Sequence, residues 1–526
     1  MRILGQAHPT VGADALLRAC LIVLTLAAIL AAATPTHATT SATIIYVVPG
    51  GTGGGASWAD GKDLAAALSG AASGSELWVK AGTYKPTTTG DRDATFALKS
   101  GVALYGGFAG TETTRDGRDG RVNVTTLSGD IGTPNDNSDN SYHVVTGSGT
   151  DNTAILDGFT VSGGAATNTA SPFVCPNNCG GGMYNNAGSP SVRHVVFSNN
   201  SAHGAGGGVA NVGGSSPTLT DVFVAGNVNT SGEGGGGMYN YWSNPTLTNV
   251  TFSGNSSPHG YGGGMMNSNS NPTLTNVTFT GNTTRDGAGA MYNLGSNPKI
   301  RNSILWGDSA SEIDGHGSTP VVSYSIVQQA SGVYLGVGNL NADPKFISPI
   351  TAPAPTTTGN LRLQAISPAI NAGDNNVTNP ALPTTDLDGN PRILGGTVDM
   401  GAYEYPPYSV GYVSPLLAAP SVNDLYPTSI GLTRTPIRWK LTNAAGAPFT
   451  AAGTVTKIAY KLNPSCSSFN EDPGGATAAS LDSANPRYDT MQKAWIYNWQ
   501  LPGRGCYSLF VTLNSAQTLT LRYNIH

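Results

Sequence analysis

Between Gly180 and Trp306 the apolar residues return in runs of two or three, each closed by Gly, Asn, Ser or Pro. One sentence is written four times: GGGMYNNAGSPSVRHVVFSNN, GGGVANVGGSSPTLTDVFVAGN, GGGMYNYWSNPTLTNVTFSGN and GGGMMNSNSNPTLTNVTFTGN. A fifth copy, GAMYNLGSNPKIRNSILWGD, is degraded. Its proline falls at Pro190, Pro217, Pro245, Pro272 and Pro298, in steps of 27, 28, 27 and 26 residues. A fixed period of this length predicts a stacked array in which each unit is one supersecondary element. Within a unit, Gly-Met-Tyr-Asn, Pro-Thr-Leu-Thr-Asn and Val-Thr-Phe-Ser-Gly carry strand chemistry and are too short for helices. Three strands per turn and no helix describe a coil that returns over its own start. Stacked coils then pair equivalent strands in parallel, about 4.8 Å apart.

The pattern also predicts what faces inward. Phe197, Phe223, Phe252 and Phe279, with Leu305 next, are expected to form one ladder in the lumen. Met183, Met238, Met265 and Met291 are expected to form another. Asn200, Asn227, Asn255 and Asn282 are expected to bond amide to amide along the axis. The second copy departs from the others, with five residues from Phe223 to Asn227 where they have four.

These motifs, Gly-Gly-Gly-Met followed by Phe252 to Asn255 and Phe279 to Asn282, resemble the repeats of chlamydial polymorphic outer membrane proteins. More broadly they resemble bacterial secreted proteins of the pectin-lyase-like superfold. The fold class this implies is all-β: a right-handed parallel β-helix followed by a small Ig-like antiparallel β-sandwich. The resemblance covers roughly a quarter of the chain and speaks to fold far more than to function.

Five segments are expected. Residues 1–38 read as a signal peptide: Arg2 and Arg18 precede the apolar run Leu21 to Ala33, and Thr36-His37-Ala38 offers a cleavage pattern. That run is short for a membrane span. Residues 39–339 read as the β-helix, with Asp63 to Ala72 a short helix over its open end. Residues 340–405 contain ADPKF, DLDGNPR and VDMGAYEY and resemble a choice-of-anchor region, read here as a C-terminal cap over exposed strand edges. Residues 406–427 read as a linker. Residues 428–526 alternate as antiparallel strands do and resemble the PxKF module, with Arg438 and Trp439 where that motif has Lys and Phe.

Charge adds little. Arg2, Arg18 and Asp14 leave with residues 1–38, so 26 Lys+Arg and 31 Asp+Glu become 24 and 30, which does not suggest a nucleic-acid partner. Charged residues are 11% of the chain against 70 glycines, natural for a solenoid surfaced with Ser, Thr and Asn. Apart from Cys20 there are four cysteines, read as two disulfides, Cys175–Cys179 and Cys466–Cys506, with a zinc site as the rival.

Candidate chemistry is sparse. Glycosidases hold two carboxylates roughly 5–10 Å apart. From Gly180 to Ile300 the acids are Asp221, Glu233 and Asp286, at different repeat positions, so they do not cluster on one face. Gly315-His316-Gly317 resembles one element of the polygalacturonase pattern without its paired aspartates, and His316 is read as a loop residue. Asp136 and Asp139 lie in a run that lacks the glycine and glutamate of a calcium loop. Asp386 and Asp388 are calcium candidates, with an Asx-turn pair as the other reading; no other cofactor is implied. Tyr239, Tyr241 and Trp242 stand together as candidates for stacking on sugar rings, or for packing under a loop. The expectation is a monomeric, non-catalytic, secreted or cell-surface protein, adhesin-like or a structural platform, with surface glycans or cell-envelope components as partners. The alternative is a carbohydrate-active enzyme, a polysaccharide lyase or glycoside hydrolase, working in the groove of the helix.

Overall fold

The computed structural model describes residues 42–169, 175–364, 366–394 and 396–405, and the strands of the C-terminal region between residues 409 and 525. Residues 44–526 form one compact unit, and it alone is described below. The expected signal peptide, Cys466 and the side chain of Cys506 lie outside the described residues.

From Ile44 to Leu340 the chain is a parallel β-helix. Its coils build a 17-stranded sheet, an eight-stranded sheet and a five-stranded sheet among the described residues. Three apolar columns fill the lumen. One runs Leu77, Leu104, Leu156, Val192, Leu219, Leu247, Leu274, Ile300, Val322, each in register with the next. The second is the methionine ladder, with Val209 supplying the second copy: Met183, Val209, Met238, Met265, Met291. The third contains Phe197, Val224, Phe252, Phe279 and Leu305. All these residues are buried. Phe252 and Phe279 stack with centroids 4.6 Å apart and planes 5° from parallel.

Phe223 is not in that ladder, contrary to expectation. Val224 takes the lumen position, and Phe223 pairs with Val196 and Thr251 on the outer face. The physical reason is the order of two residues: Phe223 stands six residues after Pro217, whereas Phe197, Phe252 and Phe279 stand seven after their prolines, the place Val224 takes here. Side chains alternate across a strand, so a ring one position earlier points to the other side of the sheet.

The expected asparagine ladder is present. Asn200, Asn227, Asn255 and Asn282 donate amide to amide at 3.0, 3.0 and 2.8 Å, and Asn282 closes on Asp308 at 2.7 Å. A second ladder, not anticipated, runs through Asn185, Asn211, Asn240, Asn267 and Asn293 at 2.8, 2.8, 2.9 and 2.9 Å. Both are buried, where an unpaired amide is costly.

The N-terminal end is closed by the helix Leu64–Gly70. Asp63 caps it by accepting from the Ala66 N–H at 2.9 Å, and Leu64, Ala67 and Leu68 turn into the lumen core. At the other end Tyr334 packs against the lumen, and Leu340 bonds to Ser325 and Val327.

Residues 341–405 do not cap the helix end as expected. They form a strap along its flank. The attachment points are corner residues with positive φ: Asn249, Asn276 and Asn302. Their side-chain amides donate to Thr385, Asp399 and Gly401, and Asp374 backbone carbonyls. A left-handed corner favours Asn and turns its amide outward, so a column of such corners offers free donors to a covering chain. Gly254 shows how closely the strap lies: its φ is +57°, its carbonyl accepts from Thr356 N–H at 2.9 Å, and a Cβ would strike the Thr356 carbonyl. Apolar residues of the strap, among them Phe346, Leu361, Leu363 and Tyr403, pack on outward Ile304 and Ile326.

The C-terminal region forms two sheets of four and five strands, antiparallel apart from one short pairing. They begin earlier than expected. Ser409–Tyr412, inside the expected linker, pairs with Arg434–Thr442, and Pro427–Thr428 pairs with Thr518–Ile525. Among the described residues no helix is long and apolar enough to cross a membrane.

Candidate functional site

A groove lies on the flank of the helix. Its floor is the outward column Thr160, Val196, Phe223, Thr251. One wall is the segment from Asp116 to Val124, and the other is the strap at Leu387 to Gly389. This part encloses about 750 Å³. A second cavity of about 370 Å³ continues it past Ser253 to Thr357, Arg362 and Tyr403. The two share Val196 and Phe223, so the half-buried Phe223 ring stands at the centre.

At the corner above the floor, His194 and Asp221 occupy the positions where later coils have Asn249, Asn276 and Asn302. His194 Nδ1 lies 2.9 Å from Asp157 Oδ1, and its Nε2 lies 3.5 Å from Asp221 Oδ2. Arg118 Nη2 reaches Asp157 at 2.9 Å. Asn249 Nδ2 donates to Asp221 Oδ1 at 2.8 Å. Burial would raise Asp157, but the His194 hydrogen bond and the Arg118 charge outweigh it and hold the carboxyl below its usual range. The same hydrogen bond raises His194, against the opposing effect of burial. Burial raises Asp221, offset in part by Asn249. The imidazole therefore sits between two carboxylates and holds a proton more firmly than a free histidine.

The wall is equally committed. Arg362 grips Asp388 with Nε and Nη2, both at 2.5 Å, and lies 4.9 Å above the Tyr403 ring. Arg121 donates to the Leu387 carbonyl at 3.1 Å.

Behind the wall Arg392 is fully buried. It donates to the carbonyls of Ala402, Asp399 and Gly401 and lies 3.7 Å from Glu404. Burial raises Asp399 to about 6 and, with the Asp399 charge, Glu404 to about 8. Asp386 accepts four donors, from Asp388, Asn390 (backbone and side chain) and Glu404. The calcium candidates are thus an Asx-turn carboxylate ringed by N–H groups and a partner of Arg362. Neither presents a free oxygen pair, and no set of three His, Cys, Asp or Glu among the described residues converges on a metal position.

The other sequence candidates lie elsewhere. Cys175 and Cys179 are bonded, with Cα atoms 5.3 Å apart. Tyr239 is buried against Tyr184 and Met266, while Tyr241 and Trp242 are 43% and 58% exposed and meet edge to face. They are on the eight-stranded sheet and its turn, outside the groove lining. His316 stacks loosely on Tyr292 at 6.1 Å.

Sequence reasoning missed the groove. Asp221 was weighed only against acids within the repeats, whereas its neighbours are Asp157, one coil upstream of them, and a strap more than 150 residues downstream. A signal existed: His194 and Asp221 replace the corner Asn in the two copies nearest the groove, and the five-residue departure at Phe223 lies in one of them.

No protein-family model matches this chain, and no curated protein matches it. Among solved structures it is similar to pectate lyase Pel9A at 15% identity with a TM-score of 0.33, over 69% of this chain and 96% of that one. It is also similar to the enzymatically active domain of tailspike protein 2 of bacteriophage CBA120, at 12% identity with a TM-score of 0.22, over 86% of this chain and 66% of that one. Neither likeness bears on the chemistry of the groove.

Proposed function

We propose that this chain is a non-catalytic exported platform: a β-helix that presents its flank groove to extracellular or cell-surface partners and carries a C-terminal sandwich. One observation supports this above the rest. The carboxylates best placed for acid–base work, Asp157 and Asp221, have the His194 ring between them. A glycosidase needs that space for the scissile bond and a water or nucleophile. A lyase needs a free base, and here each basic group of the corner is held by a carboxylate or a carbonyl. The arrangement suits a rigid, pre-organised binding surface, whose polar groups are already oriented.

The test is product release. The full chain, incubated with polygalacturonate and with neutral polysaccharides between pH 5 and 8, should yield no new reducing ends and no unsaturated product. Reproducible release that disappears in Asp221→Asn would overturn the non-catalytic reading in favour of a carbohydrate-active enzyme.

A further inference from the structure

We propose that the groove takes a neutral oligosaccharide and that one of its rings lies on the face of Phe223. This rests on the platform reading above and names its ligand.

The first argument is the register. The second copy carries Phe at the outward position and Val224 at the lumen position that Phe197, Phe252 and Phe279 fill in the other copies. Turning a large apolar ring outward gives up burial that stabilises the stack. The ring is half-buried at the point the two cavities share, so one face is open to the groove. A pyranose has an apolar C–H face and a rim of hydroxyls. It is matched by an aromatic plane surrounded by planar hydrogen-bonding groups. Here His194 and Asp221 stand on one side of the ring, and Arg362 lines the cavity on the other.

The second argument is charge. The lining has four carboxylates, Asp116, Asp119, Asp221 and Asp388, against three guanidinium groups and His194. Arg362 is spent on Asp388, and Arg118 on the buried Asp157. Arg121 donates to the Leu387 carbonyl and is, among the described residues, the one lining guanidinium without a carboxylate partner, so no track of unpaired cations is left to hold a polyuronate. Cavities of about 750 and 370 Å³ in continuity have room for several neutral rings.

Titration calorimetry on the full chain would use cellohexaose, maltohexaose, xylohexaose and hexagalacturonate. The expected result is binding of at least one neutral hexasaccharide and none of hexagalacturonate. Phe223→Ala should weaken that binding at least tenfold, and Phe223→Trp, which keeps an aromatic face, should retain it within about threefold. Tyr241→Ala should leave it unchanged. Absence of binding by all three neutral sugars, preference for hexagalacturonate, or wild-type affinity in Phe223→Ala would each overturn the proposal. Mass spectrometry of the recovered sugar separates the two claims. Shortened products would overturn the non-catalytic reading whatever Phe223→Ala does, and intact sugar with wild-type binding by Phe223→Ala would overturn only the groove assignment.

Discussion

Two phenylalanines one coil apart in the repeat should respond very unequally to truncation. Phe252 is fully buried in the lumen and stacks on Phe279 at 4.6 Å. Phe252→Ala removes a ring that its rigid coil neighbours cannot collapse to replace, a cost of about 3–5 kcal/mol. Phe223, its counterpart by residue type but paired with Thr251, lies half-buried on the outer face. Losing it forfeits only its partial burial, about 1 kcal/mol at ~25 cal/mol per Å². Equilibrium urea unfolding followed by tryptophan fluorescence would compare both variants with the parent. The expected order is a large loss of midpoint for Phe252→Ala and a small one for Phe223→Ala, with the denaturant slope unchanged. Equal losses, or a larger one for Phe223→Ala, would refute the outward placement of Phe223 on which the groove depends.

Other expectations follow from the same coordinates. Asn255→Ala would strand the Asn227 amide and the Val224 carbonyl, which Asn255 now satisfies at 2.8–3.0 Å, and should cost about 2–4 kcal/mol in the same unfolding assay. Stability should fall as pH rises from about 5 to about 8 and level off above. Glu404 is raised to about 8, so the folded state binds a proton there that the unfolded chain has released, and stability declines by up to about 1.4 kcal/mol per pH unit per proton. Asp308 and Glu312 act in the same direction, both raised by burial, with Asp308 raised further by Glu312. Glu404→Gln should flatten the thermal midpoint against pH across that window, and an unchanged slope would show that the buried strap cluster does not titrate there. Chelation by EDTA, or addition of millimolar calcium, should leave the midpoint unmoved, because Asp386 and Asp388 are already committed to N–H groups and Arg362. A calcium-dependent rise would restore them as ligands.

How far the sequence could be read depended on how local the information was. The lumen was legible because its columns recur every coil: Met238, Met265 and Met291, or Asn227, Asn255 and Asn282, sit at the same place in each sentence. The second asparagine ladder was overlooked because Asn240 and its equivalents stand inside Met-Tyr-Asn strands and looked like ordinary strand polarity. Phe223 was misplaced because alignment by residue type ignored its spacing from the repeat proline, six residues where Phe197, Phe252 and Phe279 have seven, which reverses its face. The strap was misread as an end cap because residues 341–405 have no repeat of their own. Their path is set by outward amides at Asn249, Asn276 and Asn302, a corner column visible only once the coils are stacked. The groove combines all three difficulties, since its corner, floor and wall come from Asp157, Phe223 and Leu387.

The most direct measurement is a crystal structure of the full chain soaked with whichever neutral hexasaccharide binds. The expected density is an intact chain of rings lying between residues 116–124 and 387–389, with one ring parallel to Phe223 and hydroxyls within hydrogen-bond reach of His194 and Asp221. Sugar stacked on Tyr241 and Trp242 with the groove vacant, or a broken glycosidic bond beside Asp221, would contradict it.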